Sequence, residues 1–246
     1  MPREMRLMKR ILCIIFATVL SLLGTRIVSA EQSPTDLLGA DFVDRLTFFG
    51  ESTTTHLSVR SKVSRSQVWT NPSGTARLDS TTSTRPLKDP KSEKFLSPIE
   101  LAQRDRPEFI VLSFGLNGIM EFEKDTEDYL AKYQKLIDAL QKVSPDTRFL
   151  IQAIYPVAEM SHQVGWNFSV SPTEINHKID RLNDRMKEHC KTLSSIDFIN
   201  TSVDLRDENG FLKPSFTTDG IHLTEAAYVE ILKQLRTYGR SVCAPE

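Results

Sequence analysis

The sequence predicts an α/β protein in which a central, mostly parallel sheet lies between two layers of helices. Strand-like and helix-like segments alternate along the chain, and this order favours parallel strands with helices on both faces. Residues 109–114 form an almost entirely apolar run, which is typical of a strand covered on both sides. The chain has 246 residues and no internal repeat, so we expect a single domain.

The first elements surround a serine-containing turn. Residues 44–49 contain Leu46, Phe48 and Phe49 and are followed by Gly50, which predicts a first buried strand. Residues 53–62 can form a helix, and residues 67–70 read as a short strand. The following Asn-Pro-Ser-Gly sequence, which ends at Gly74, is typical of a turn.

The middle of the chain combines a polar segment with a clear helix start. Residues 80–94 are rich in Ser, Thr, Lys and Pro, which favours a surface loop. Ser97 then has the features of an N-cap, because Pro98 occupies the first helical position and Glu100 lies in the first turn. A helix is therefore predicted to lead into the strand at 109–114.

In the second half of the chain, predicted helices and strands continue to alternate up to a closing helix. Apolar residues recur at helical spacing over 128–143, and residues 148–155 predict another buried strand. A long polar helix is predicted at 172–193, a short strand at 196–199 and a closing helix at 224–238. This order implies that ligands bind beyond the carboxyl ends of the strands.

The first thirty residues have the pattern of a signal peptide. A basic start is followed by a mostly apolar run over 11–24, which is about 21 Å long as a helix and short for a bilayer core of about 30 Å. Val28, Ser29 and Ala30 are small residues at the positions that a signal peptidase reads. We expect cleavage before Glu31 and a secreted or cell-envelope protein, with an uncleaved signal anchor as the alternative.

Charge, cysteine and histidine content indicate which ligands and cross-links the chain can have. Without residues 1–30 the chain has 26 basic and 31 acidic residues and no basic stripe, so nucleic acid is not expected as a partner. A weakly acidic protein suits an uncharged substrate. Cys190 and Cys243 allow either a disulfide or two free thiols. The five histidines are scattered, so we predict no metal site.

Two separated motifs indicate nucleophilic chemistry. Asp219 and His222 are three residues apart, which lets the carboxylate hold one tautomer of the imidazole and leaves the other ring nitrogen able to take a proton. Ser52, in Gly50-Glu51-Ser52, is the candidate nucleophile. The alternatives are ordinary: Ser52 as a helix N-cap, His222 as a half-buried histidine and Asp219 as a turn residue.

Together with Gly115-Leu116-Asn117-Gly118, these motifs resemble those of the SGNH (GDSL-type) hydrolases, of the exported bacterial type, in the same order along the chain. The resemblance implies a flavodoxin-like three-layer α/β/α fold. It also implies a nucleophile at Ser52, a base at His222, an orienting acid at Asp219, and an oxyanion hole formed by Ser52, Asn117 and Gly74. Asn117 and Gly74 have simple turn roles as alternatives. Two positions depart from the family pattern: Glu51 replaces an aspartate, and Gly118 replaces a frequent acid.

The function implied by this resemblance is a serine esterase without a metal or organic cofactor. Small residues after Ser52, at 53–55, and after Asn117 favour a short acyl group, with an O-acetyl ester on a carbohydrate as the expected substrate. Trp166 is a candidate sugar-binding aromatic, and we expect a monomer without stable membrane insertion once the signal is cleaved. The alternatives are a lipase or acyltransferase of the same family, and a non-catalytic carbohydrate-binding or assembly module on the same fold.

Overall fold

Five parallel strands form the central sheet of the computed structural model. They are β1 (Leu46–Gly50), β2 (Val68–Trp69), β5 (Phe109–Ser113), β6 (Arg148–Gln152) and β7 (Ile196–Ile199). Their order across the sheet is β2-β1-β5-β6-β7, and every neighbouring pair is parallel. The short strands β3 (Leu87–Lys88) and β4 (Phe95–Leu96) pair separately as an antiparallel hairpin. The predicted parallel sheet is therefore confirmed.

Six α-helices with bounds inside the described part of the chain flank the sheet. They are α1 (Ser52–Arg60), α2 (Pro98–Asp105), α3 (Ile119–Phe122), α4 (Thr126–Gln141), α5 (Pro172–Cys190) and α6 (Glu225–Cys243). Short 3₁₀ helices lie at Arg65–Gln67, Glu159–Val164, Val203–Leu205 and Pro214–Phe216. The predicted start of α2 is confirmed, because Ser97 and Glu100 form a reciprocal capping box in front of Pro98.

The strands divide their side chains between two apolar cores. In β1, Phe49 belongs to one core and Phe48 to the other, as expected from the alternation of side chains along a strand. Helices α2 to α5 cover the first core, while α1 and α6 cover the second. The three-layer α/β/α class is confirmed, and both faces of the sheet are buried.

The segment at 80–94 differs from the predicted surface loop. It contributes β3, and Asp89 is fully buried within it. Two nitrogens of Arg104, on α2, bond the Asp89 carboxylate at 2.6 and 3.0 Å. These hydrogen bonds from Arg104 hold the pKa of Asp89 well below its usual value. A buried charge is tolerated when it is paired, and such pairing is not visible in the polar composition of the segment.

The structure describes residues 42–71, 73–79, 82–92, 94–164 and 169–243, without the side chains of 162–164 and 243. The predicted signal peptide and Trp166 lie outside these ranges. Cleavage before Glu31 therefore stays a prediction, which N-terminal sequencing of secreted protein would test. Cys190 is a buried free thiol. None of the helices within the described ranges is long and apolar enough to span a membrane.

Candidate active site

The carboxyl ends of β1 and β5 bring two of the predicted motifs together. Gly50 is opposite Ser113 in the parallel register, so the turns that follow the two strands lie side by side. A Cβ atom at Gly50 would lie 2.4 Å from the Ser113 carbonyl oxygen, so only glycine fits this close approach. The Glu51 N–H also donates to that carbonyl at 3.2 Å. The nucleophile turn is thereby fixed against the neighbouring strand.

Ser52, His222 and Asp219 form a continuous line of hydrogen bonds. Ser52 Oγ is 3.1 Å from His222 Nε2, and Asp219 Oδ2 is 2.6 Å from His222 Nδ1. The side chains of His222 and Asp219 are 19% and 33% exposed, so the line is partly shielded but open to a ligand. Ser52 is the first residue of α1 and makes no capping hydrogen bond, because Glu51 occupies the N-cap position. The structure therefore does not have Ser52 as an N-cap.

The loop before α6 is organised by the same aspartate. Asp219 Oδ1 accepts hydrogen bonds from the backbone N–H groups of Ile221 and His222 at 3.0 and 2.8 Å, which leaves Oδ2 for the imidazole. Thr217 Oγ1 donates to the His222 carbonyl at 2.9 Å and accepts from the Gly220 N–H. An aspartate that bonds the backbone two residues on is a common turn device. Here it also fixes the position of the histidine.

The Asp219 carboxylate is suited to remain ionised beside the histidine. Partial burial raises its pKa, but hydrogen bonds from the His222 ring and from the N–H groups of Ile221 and His222 outweigh that effect. The pKa of Asp219 therefore lies below its usual value. An ionised partner at Nδ1 stabilises a positive charge on the imidazole.

Glu51, the first departure from the family pattern, links the nucleophile turn to the loop after β5. Its carboxylate oxygens accept hydrogen bonds from the N–H groups of Leu116 and Asn117, both at 3.0 Å. The residue is 5% exposed. Burial raises the pKa of Glu51 to about 7, because the loss of hydration outweighs hydrogen bonds from the N–H groups of Asn117, Leu116 and Gly115. The Glu51 side chain, which is one methylene longer than the aspartate of the family pattern, thus holds the loop after β5.

We expect Glu51→Gln to change how the free energy of unfolding depends on pH. The folded pKa of about 7 lies above the ordinary glutamate pKa of 4.5, so the folded state keeps a proton that the unfolded state loses between these values. This contribution to stability is complete below about pH 4.5 and is lost as pH rises through about 7. Wild type should therefore lose on the order of 1–3 kcal/mol relative to Glu51→Gln between pH 4.5 and 8. Urea unfolding of both proteins would measure this; parallel pH profiles would contradict it.

Asn117 connects the loop after β5 to the loop after β2. Its Nδ2 donates one hydrogen bond to the Ala76 carbonyl at 3.0 Å, and an amide nitrogen has a second hydrogen to donate. The Gly74 N–H donates to the Asn71 carbonyl at 3.1 Å, which is the turn role that the sequence offered as the alternative. An oxyanion role for Gly74 stays a prediction. The oxyanion roles of Asn117 and of the Ser52 N–H likewise stay predictions.

Gly118, the second departure, has a backbone that excludes most other residues. Its φ of +116° is rare for residues with a side chain. A Cβ atom there would lie 2.9 Å from the Phe122 ring and 3.0 Å from Arg77 Nε. The acid that is frequent in the family would therefore not fit after Asn117 without rearrangement of this loop.

His56 lies one helical turn after Ser52, a spacing that by itself favours a solvated helix residue, but the structure has it half-buried against His222. Its ring centroid lies 4.8 Å from that of His222, at an interplanar angle of 67°. The sequence signal was only its position one helical turn after Ser52. Within the described ranges, no group of three or more His, Cys, Asp or Glu side chains could hold a metal ion.

Solved structures with the same fold have low sequence identity to this chain. A GDSL-like lipase from Bacteroides thetaiotaomicron has 17% identity and a TM-score of 0.55, and the match covers 86% of this chain and 100% of that one. A protein from Streptococcus pneumonia has 19% identity and a TM-score of 0.53, with 91% and 99% covered. A carbohydrate esterase family 3 protein from Talaromyces cellulolyticus has 10% identity and a TM-score of 0.51, with 80% and 96% covered. A search of curated proteins gives no match.

A match between the sequence and a protein-family model identifies the family of this chain. Residues 48–229 match the family model for the GDSL-like lipase/acylhydrolases. This range is more than half of the chain and includes Ser52, Asn117, Asp219 and His222. The chain therefore belongs to the GDSL-like lipase/acylhydrolase family and is a hydrolase that acts on ester bonds.

Proposed function

We propose that this hydrolase is a serine esterase that removes a short acyl group, an acetyl group above all, from a carbohydrate. The observation that carries the proposal is the line of hydrogen bonds from Ser52 Oγ through His222 to Asp219. A hydroxyl, an imidazole and a carboxylate in this order can generate a nucleophile at neutral pH. The sequence supports an exported protein, so an ester outside the cytoplasm is the proposed substrate.

In the first half of the proposed reaction, the acyl group moves to the enzyme. Ser52 Oγ attacks the ester carbonyl carbon while His222 Nε2 takes the hydroxyl proton, and Asp219 stabilises the resulting imidazolium. The oxyanion accepts hydrogen bonds from the Ser52 N–H and the Asn117 amide. The N–H of the first residue of a helix has no acceptor within the helix, so the Ser52 N–H can serve a ligand.

Collapse of this intermediate breaks the bond between the carbonyl carbon and the alcohol. The departing alkoxide takes the proton from His222 Nε2 and leaves an acyl ester on Ser52. A water molecule then attacks the same carbon while His222 takes a proton from it. Breaking the bond to Ser52 Oγ releases the acid and returns the proton to the serine. No step needs a metal or an organic cofactor.

The preference for a short acyl group is supported by the small residues beside the site. Gly74 faces Thr55, with the position of a Cβ atom 3.4 Å from Thr55 Oγ1, and Gly118 has no side chain beside Asn117. Thr53 and Thr54 lie on the buried face of α1, so they do not contribute to this surface as the sequence suggested. The carbohydrate part of the proposal is compatible with the solved carbohydrate esterase that shares the fold.

We expect kcat/KM to fall steadily from acetyl to octanoyl p-nitrophenyl esters. Each methylene that finds an apolar groove contributes about 0.8 kcal/mol, and the polar residues beside Ser52 offer no such gain. Initial rates of the purified protein across the ester series would measure the profile. Acetylated polysaccharides should release acetate in parallel. A profile that rises toward octanoyl would instead support a lipase of the same family.

A covalent serine probe separates the enzyme from a non-catalytic carbohydrate-binding module on this fold. A fluorophosphonate should label wild type at Ser52 and should not label Ser52→Ala. Binding of acetylated glycan without labelling and without hydrolysis would favour the binding module. A probe that labels Ser52 while acyl groups move to an alcohol in preference to water would favour an acyltransferase.

A further inference from the structure

Three residues on one face of α1 contact the loop that carries His222. Ser52, His56 and Arg60 are four residues apart, so they lie above one another on the helix. Ser52 Oγ bonds His222 Nε2, the His56 ring packs against the His222 ring, and Arg60 Nη1 donates to the Leu223 carbonyl at 2.6 Å. We call these three residues the loop-facing stripe. Only its first member is needed for the proposed chemistry.

The hydrogen bonds of His222 do not fix its ring completely. Asp219 at Nδ1 and Ser52 at Nε2 define the line that passes through the two ring nitrogens. The ring turns about its Cβ–Cγ bond, and such a turn moves both nitrogens away from Asp219 and Ser52, so the two hydrogen bonds oppose it from the ring edge while neither contacts the face of the ring. A group packed against the ring prevents the rotation. The His56 ring, at a centroid distance of 4.8 Å and an angle of 67°, provides an edge-to-face contact of this kind.

We propose that His56 is a positioning residue for His222, whose uncharged ring holds the His222 ring with Nε2 directed at Ser52. The consequence for catalysis rests on the proposed function, whereas the contact between the rings does not. His56 does not need to touch the substrate in this role. Its effect should appear in kcat and in the protonation of His222.

The surroundings of His56 favour its uncharged form. Its Nδ1 is buried and has no hydrogen-bond partner among the described residues, whereas an imidazolium has two N–H groups to satisfy. Burial lowers the pKa of His56, and so do Arg60 on the same helix and His222 on the facing loop, while Asp219 on that loop raises it. The net shift is downward. An uncharged neighbour does not repel the imidazolium that forms at His222.

Three substitutions of His56 separate ring packing from charge. His56→Ala removes the ring, and we expect kcat to fall about tenfold with KM unchanged. His56→Phe keeps an aromatic ring without a titrating group, and we expect it to restore most of that loss. His56→Lys places a cation beside His222, so the acid limb of kcat/KM should move to lower pH by at least ~0.5 unit. His177→Ala, which removes an exposed histidine on α5, is the matched control and should behave as wild type.

NMR of the histidine ring protons provides a second measurement that does not require turnover. The pH at which half of the His222 rings are protonated should fall by at least ~0.5 unit in His56→Lys and should change little in His56→Phe. Thermal melts would show which variants fold. A merely structural role would lower Tm and kcat together in the alanine variant, and the phenylalanine variant would recover kcat only as far as it recovers Tm.

The proposal is overturned if His56→Ala keeps the kcat of wild type, if the alanine and phenylalanine variants lose kcat equally, or if His56→Lys leaves the His222 titration unmoved. Should the alanine variant fail to fold, the phenylalanine and lysine variants decide the outcome. If wild type cleaves no ester and Ser52 is not labelled by the probe, the proposed function fails. In that case the NMR titrations still decide whether His56 controls His222.

Discussion

Ser52→Ala should abolish ester hydrolysis and leave the free energy of unfolding nearly unchanged. The substitution removes the attacking oxygen, and single losses in such a triad typically lower kcat by about 10⁴-fold or more. The Ser52 hydroxyl makes no capping bond, and its contact with His222 lies at a partly open rim, so little stability depends on it. His222→Ala should be as severe. Steady-state rates and urea unfolding would measure both effects.

Ser58→Ala is the matched control on the same helix. Its hydroxyl contacts the Thr55 carbonyl at 3.5 Å, so its loss should change neither rate nor stability appreciably. Asp219→Asn should be less severe than the loss of Ser52, because the amide oxygen can still accept from a backbone N–H of the loop. Near-normal turnover by Ser52→Ala on any good ester would show that another group is the nucleophile.

The fold was predictable because each strand of the core has its own apolar pattern within a short stretch of sequence. Each buried strand is a short apolar run, and the alternation of Phe48 and Phe49 between the two cores follows from strand geometry alone. The position of Ser52 and Asn117 at one edge followed from the parallel order of the strands. The hairpin of β3 and β4 was missed, because burial of Asp89 depends on Arg104, which lies 15 residues later.

The environment of the site was less predictable than its residues. Helical spacing placed His56 one turn after Ser52, but nothing in that spacing reveals that the loop before α6 lies against the same face. The contacts of Glu51 could not be predicted for a similar reason. Its partners are the backbone N–H groups of Leu116 and Asn117, and backbone groups have no signature in side-chain identity. The partners of His56 and Glu51 lie in segments distant in sequence, so the motifs alone could not predict these contacts.

Asn117→Ala should lower kcat by about 10² to 10³, with a much smaller change in KM. Loss of one preformed donor to an oxyanion typically has this effect, because the charge that it stabilises exists only in the transition state. The Glu51 carboxylate bonds the backbone N–H of residue 117, so the alanine variant keeps that contact and the loop position. The lost bond to the Ala76 carbonyl should cost only about 1 kcal/mol of stability.

Asn71→Ala distinguishes donation to the oxyanion from simple ordering of the loops. Asn71 Oδ1 accepts from the Ala76 N–H at 3.1 Å, so this side chain orders the segment that Asn117 contacts. Its removal should disturb the same loop without removing the proposed donor, and kcat should fall by less than about tenfold. Equal losses in the two alanine variants would assign the effect to loop order. A loss confined to Asn117→Ala, with weaker binding of a boronic acid that mimics the tetrahedral intermediate, would place the amide in the oxyanion hole.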